Sequence, residues 1–144
     1  MSDLYEVVFE DVPKRSTIPL LMSLIKDSHE ILNVECSEDF RVFDGTALNI
    51  EGLNSVLDFK GSVCTIISLD EMRWGDLAMQ KVLIRVVKYD EQYDIDFTFY
   101  FGDAKNLSSD LKRLHENAKR IAADHSVAAC MSGLEPASNY MESK

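Results

Sequence analysis

One 22-residue stretch, Val82 to Asp103 (VLIRVVKYDEQYDIDFTFYFGD), constrains the fold more than any other part of the chain. Alternate side chains of a strand point to opposite faces. From Tyr93 the odd positions are Tyr93, Ile95, Phe97, Phe99 and Phe101, and the even ones are Asp94, Asp96, Thr98 and Tyr100. The segment before it splits into Val82, Ile84 and Val86 on one side and Leu83, Arg85, Val87 and Tyr89 on the other. The stretch therefore reads as a β-hairpin with one apolar and one acidic face. An even-length loop around Glu91-Gln92 pairs Val86 with Phe97 and Ile84 with Phe99. It sets Arg85 opposite Thr98 and diagonal to Asp96. An odd-length loop would drive Arg85 into the core, where an unpaired charge costs several kcal/mol, so the even register is expected. The outward face then carries Tyr89, Asp94, Asp96 and Tyr100, with Asp90 and Glu91 at the tip.

The rest of the chain supplies partners for this hairpin. Leu4 to Val12 reads as a strand. Ser16 or Thr17 is placed to cap a helix with Pro19 in its first turn, and Ile18, Leu21, Leu24, Ile25 and Leu32 carry its apolar face to about Asn33. Phe40 to Phe43, turning at Asp44-Gly45, pairs with Ala47 to Ile50. Glu51 to Phe59 is ambiguous between a short helix and irregular chain. Val63 to Leu69 (VCTIISL) is a β-branched central strand, and Asp70 to Asp76 reads as a loop or bulge. Asn106 caps a last helix whose inner stripe is Leu107, Leu111, Leu114, Ala118, Ile121 and Ala122, ending near Met131 or Ser132 with Gly133 as its C′ residue. The expected architecture is α+β: a mainly antiparallel sheet of five to six strands with two amphipathic helices on one face. Residues 1–133 make one domain and 134–144 a flexible tail.

Composition narrows the function classes. The 144-residue chain carries 25 acidic and 15 basic residues, a net charge of −10. That balance disfavours direct nucleic-acid binding and anionic membranes, both of which draw on clustered Lys and Arg, and favours a basic protein partner. No apolar run approaches a membrane span and the start lacks a leader pattern, so cytoplasmic residence is expected. Cys36, Cys64 and Cys130 are odd in number and widely spaced, which fits reduced, packed thiols.

Motifs for chemistry are missing. The six glycines form no phosphate loop, and His29, His115 and His125 form no paired zinc spacing. His125, in the apolar stripe of the last helix, reads as a half-buried residue near a helix C-terminus. No cofactor and no metal are expected. Of the carboxylate pairs Asp70–Glu71, Asp90–Glu91 and Asp94–Asp96, the last lies on one strand face about 7 Å apart. That separation suits a glycosidase pair, but an open sheet face does not raise carboxyl pKa values as such sites require.

Exposed aromatic residues among carboxylates resemble the anchors and rim of a protein interface. The reading is a non-enzymatic binding module whose site comprises Tyr89, Asp90, Glu91, Asp94, Asp96, Tyr100, Asp70, Glu71 and Trp74. In its sharpest form it is an immunity protein or antitoxin that blocks a basic toxin such as a nuclease. Two alternatives stand beside it. One is a secretion-type chaperone or adaptor, often a homodimer, that offers an apolar groove. The other is a small-ligand binder with a cavity lined by Phe97, Phe99 and Ile121.

Overall fold

The computed structural model describes residues 4–28, 30–101, 107–134 and 142–143. In chain order the elements are β1 (Tyr5–Glu10), α1 (Lys14–Ile25), β2 (Ile31–Cys36), α2 (Ile50–Asp58), β3 (Val63–Trp74), β4 (Leu77–Tyr89), β5 (Gln92–Tyr100), α3 (Leu107–Asp124), β6 (Ala129–Leu134) and β7 (Glu142–Ser143). The strands form one sheet in the order β2-β3-β4-β5-β1-β6-β7, and every pairing is antiparallel. The α+β expectation holds, with a third helix, α2, added.

One cluster of buried side chains forms the core. Tyr5, Val7 and Phe9 of β1 and Tyr93, Ile95, Phe97 and Phe99 of β5 point to the same side as Val82, Ile84 and Val86 of β4. Against them pack Leu20, Leu21 and Leu24 of α1, Leu53, Val56 and Leu57 of α2, and Leu114, Ala118 and Ala122 of α3. Two polar contacts pin helices to this side: the Tyr93 hydroxyl donates to the Leu57 carbonyl at 3.0 Å, and His115 Nδ1 lies 2.8 Å from Ser132 Oγ. All three helices therefore cover one sheet face.

The hairpin keeps its expected faces but shifts register by two residues. Its loop is Asp90-Glu91, with Asp90 at φ 55, so Ile84 pairs with Phe97, Val86 with Ile95, and Arg85 lies directly opposite Asp96. A shift of two preserves the inward and outward sets, which a shift of one would exchange.

Other expectations are corrected. Helix α1 stops at Ile25 instead of reaching Asn33. Both the Ser28 amide and its hydroxyl bond back to the Ile25 carbonyl, and Ile31–Cys36 becomes edge strand β2. A bulge between Ile31 and Asn33 leaves Leu32 exposed and hides the strand's alternation. Neither Ser16 nor Thr17 caps α1; the Pro13 carbonyl accepts from the Ser16 amide and the Thr17 hydroxyl. The Phe40–Ile50 hairpin shrinks to a single bridge, Phe43 to Leu48. Asn49 then caps α2, its side chain accepting from the Gly52 amide.

The largest correction concerns the C-terminal third. Ser126 takes φ 61, its amide reaching the Ala123 carbonyl and the Val127 amide the Ala122 carbonyl. This is a Schellman end with Ser in the position usually held by Gly. It closes α3 at Asp124, and Cys130 and Ser132 turn inward on β6, paired with β1. Leu134 belongs to β6 and residues 142–143 pair with it, so part of the expected tail joins the sheet. Residues 135–141 and the cap expected at Asn106 lie outside the described residues.

Of the two readings of Asp70 to Asp76, a loop or a bulge, the loop is corrected. Strand β3 continues to Trp74 and turns at Gly75. The pattern breaks because the inward phase changes: Leu69 is followed by Met72 on β3, and Met79 by Val82 on β4. Lys81, at φ 53, is the extra residue between the β4–β5 pairs Gln80–Tyr100 and Leu83–Thr98.

Candidate protein-binding site on the open sheet face

No described helix packs on the second sheet face, where the outward side chains line up in rows across the strands. One row reads Asn33, Ser68, Leu83, Thr98, Glu6 and Gly133. Beside it runs Glu35, Ile66, Arg85, Asp96, Val8 and Met131. On the other side lie Glu71, Gln80 and Tyr100.

The carboxylates at the centre are already engaged. Arg85 grips Asp96 through two parallel bonds, Nε to Oδ1 at 2.9 Å and Nη2 to Oδ2 at 2.8 Å. That bond holds the guanidinium pKa above its ordinary value. Asp94 accepts the Tyr89 hydroxyl at 2.7 Å, the Asp11 amide at 2.8 Å and Gln92 Nε2 at 3.3 Å. The Tyr89 phenol, bonded to a carboxylate, is pushed up to about 12. These two aspartates hold the sheet surface together and offer a partner few vacant lone pairs.

Further acids lie at the rim of this face. Asp90 and Glu91 are exposed at the hairpin tip, and Asp70 is exposed at the phase change in β3. Glu71 is on the open face and accepts from Arg73 Nε.

Trp74 is separated from the rest. It pairs with inward-facing Leu77 and meets the Phe97 ring edge-on at 5.5 Å, which places it on the helix side. There it borders a cleft of about 500 Å³ with Asp27, Asp76, Arg113, Glu116 and Arg120. The structure thus brings together Tyr89, Asp94, Asp96, Tyr100 and Glu71, sets Asp70, Asp90 and Glu91 around them, and turns Trp74 away.

Sequence reasoning passed over Leu83, which is 46% exposed in the middle of this face. Its signal was present: Leu83 and Val87 are apolar residues in an otherwise polar outward set. The rings expected to line a ligand cavity fill space instead. Phe97 and Phe99 are fully buried and in mutual contact at 5.7 Å. Among the described residues no cluster of three or more His, Cys, Asp or Glu is placed to hold a metal ion, and no helix is long and apolar enough to cross a membrane.

A family model described as the PABL017 Cdi1I immunity protein matches residues 3–141. The chain belongs to the Cdi1I immunity protein family. It also resembles a chain in the crystal structure of the toxic C-terminal tip of CdiA from Pseudomonas aeruginosa in complex with its immune protein. Identity is 28% and the TM-score 0.86, over 100% of this chain and 96% of that one. No curated protein sequence matches significantly. Immunity proteins act by binding a toxin and blocking it. Family membership, and not the missing motifs, makes this chain a toxin-neutralising protein without enzymatic activity.

Proposed function

We propose that this Cdi1I-family chain neutralises a basic CdiA-type toxin tip in the cytoplasm by docking it on the open sheet face. The observation that carries this reading is the face itself: half the sheet surface, uncovered among the described residues and rimmed by Asp70, Asp90 and Glu91. The net charge of −10 supports a basic partner. The three free cysteines support a reducing compartment. Tyr89, Asp94, Asp96, Tyr100 and Glu71 form the floor of the site, and the rim acids steer the toxin towards it.

Calorimetric titration with the CdiA toxin tip made by the same cells tests this. Saturable one-to-one binding is expected, together with survival of cells that express both proteins. Paired Asp90→Lys and Glu91→Lys substitutions are expected to slow association, most strongly at low salt. Absence of binding by the unaltered chain would overturn the reading. So would light scattering that shows a second copy of the chain holding this face and excluding the toxin.

A further inference from the structure

The open face holds an energetic centre that its charges conceal. We infer that Leu83 is the apolar anchor of the toxin contact and that the toxin presents a complementary apolar pocket to it; this rests on the reading that the toxin docks on this face. Three observations converge on Leu83.

The first is its setting. Leu83 sits on β4 with Ser68 on one side and Thr98 on the other. Both neighbours are short, so the isobutyl group rises above its row. The partly exposed Ile66, Val87 and Val8 lie in the next rows and extend the apolar ground around it.

The second is the state of the surrounding charges. Asp96 is bound to Arg85, and Asp94 to Tyr89, Gln92 and the Asp11 amide. A partner cation that sought either carboxylate would have to displace bonds already made. Little new affinity is therefore available at the floor from charge. Steering is left to the exposed rim and burial to the centre, which is the division seen in protein interfaces with an apolar core and a polar rim.

The third is position. Of the other exposed large apolar residues among those described, Tyr89 shares strand β4 but its hydroxyl is bonded to Asp94, and Met22, Leu32, Ile50, Leu107 and Leu134 lie on helices or on strands at or near the sheet margin. Single exposed apolar residues at such places are ordinary. Leu83 occupies a central strand on the face left open, and its side chain is not part of the buried core.

The experiment compares toxin binding by the unaltered chain with Leu83→Ala, Leu83→Asp and Leu32→Ala. Removing a fully buried Leu side chain from an interface corresponds to about 10- to 100-fold weaker binding. Leu83→Ala is expected to weaken binding by that range through faster dissociation, and Leu83→Asp by more. Leu32→Ala, exposed at the edge strand, is expected to leave Kd within about twofold. All three should retain the circular dichroism spectrum and urea midpoint of the parent, because neither side chain contributes to the core. Wild-type binding with an unchanged Kd in Leu83→Ala and Leu83→Asp would overturn the inference while leaving the docking reading intact. Loss of binding by the unaltered chain would overturn the docking reading itself.

Discussion

The Arg85–Asp96 pair offers a quantitative test of whether the central carboxylates are structural. The two partners are unequally buried: the side chain of Asp96 is 9% exposed and that of Arg85 50%. Deleting either one breaks the same two hydrogen bonds, yet the residue left behind differs. In Asp96→Ala the guanidinium is half in water and can be solvated where it stands, so the loss is that of a partly exposed pair, about 1 kcal/mol. In Arg85→Ala the carboxylate stays buried between β4 and β1 without its donor. Its desolvation is then uncompensated, at about 2–3 kcal/mol. Urea denaturation of both variants, with the slope held equal, reads the difference as a shift in midpoint. Arg85→Ala should be the less stable by at least about 1 kcal/mol. Equal losses, or a larger loss for Asp96→Ala, would refute the claim that Arg85 serves to satisfy Asp96. The same logic warns against reversing both aspartates as a probe of toxin binding. Asp94→Lys with Asp96→Lys would remove five hydrogen bonds from the sheet, so any loss of binding would report damage to the fold.

Gly52→Ala should cost about 3 kcal/mol or more in a urea melt, because a Cβ there would stand 1.7 Å from the Arg41 carbonyl oxygen. Gly75→Ala, whose Cβ meets nothing within 4 Å, should cost only the left-handed penalty of about 1–2 kcal/mol; equal losses would argue against the close approach of the 37–49 loop to α2. In an ultraviolet titration, the Tyr89 phenol should ionise late, near 12, and move back towards 10.0 in Asp94→Asn; an unchanged curve would remove the Tyr89–Asp94 bond. Burial, helped by the charge of Lys119, lowers the His115 pKa below 6.5. The unfolded chain then takes up a proton that the folded one refuses. Stability should be level above about pH 7 and fall as the pH drops through 6.5 and below. His115→Gln should flatten that slope, and a slope that persists would place its origin elsewhere.

The hairpin was legible because periodicity alone assigns strand faces, and its two-residue register shift left those faces untouched. The cap at Ser126 was not legible. A left-handed helix end is usually marked by Gly, and Gly133 offered a tempting but later stop. The helix was therefore extended over Ala128 to Met131, small and flexible residues that suit either state. Strand β2 was hidden by its bulge at Leu32, which placed that residue at helical spacing from Ile25 and Leu24. The phase change at Asp70 and Lys81 left a loop and a bulge equally open in the sequence, because both strands shift together, something visible only once they are paired. For the site, the outward set was correct, but sequence cannot show that Asp94 and Asp96 are engaged or that Trp74 faces the helices. Those facts depend on groups brought together from β3, β4, β5 and the residue that follows β1.

The central claim is that the toxin docks on the sheet face and not on the helices. The most direct test is the Kd of the toxin tip for two arginine variants. One is Thr98→Arg, which places a long side chain beside Leu83 on the open face. The other is Asn54→Arg, on the exposed side of α2 across the molecule. The account predicts that Thr98→Arg abolishes or severely weakens binding while Asn54→Arg binds like the parent. The reverse pattern, with binding lost in Asn54→Arg and kept in Thr98→Arg, would contradict it.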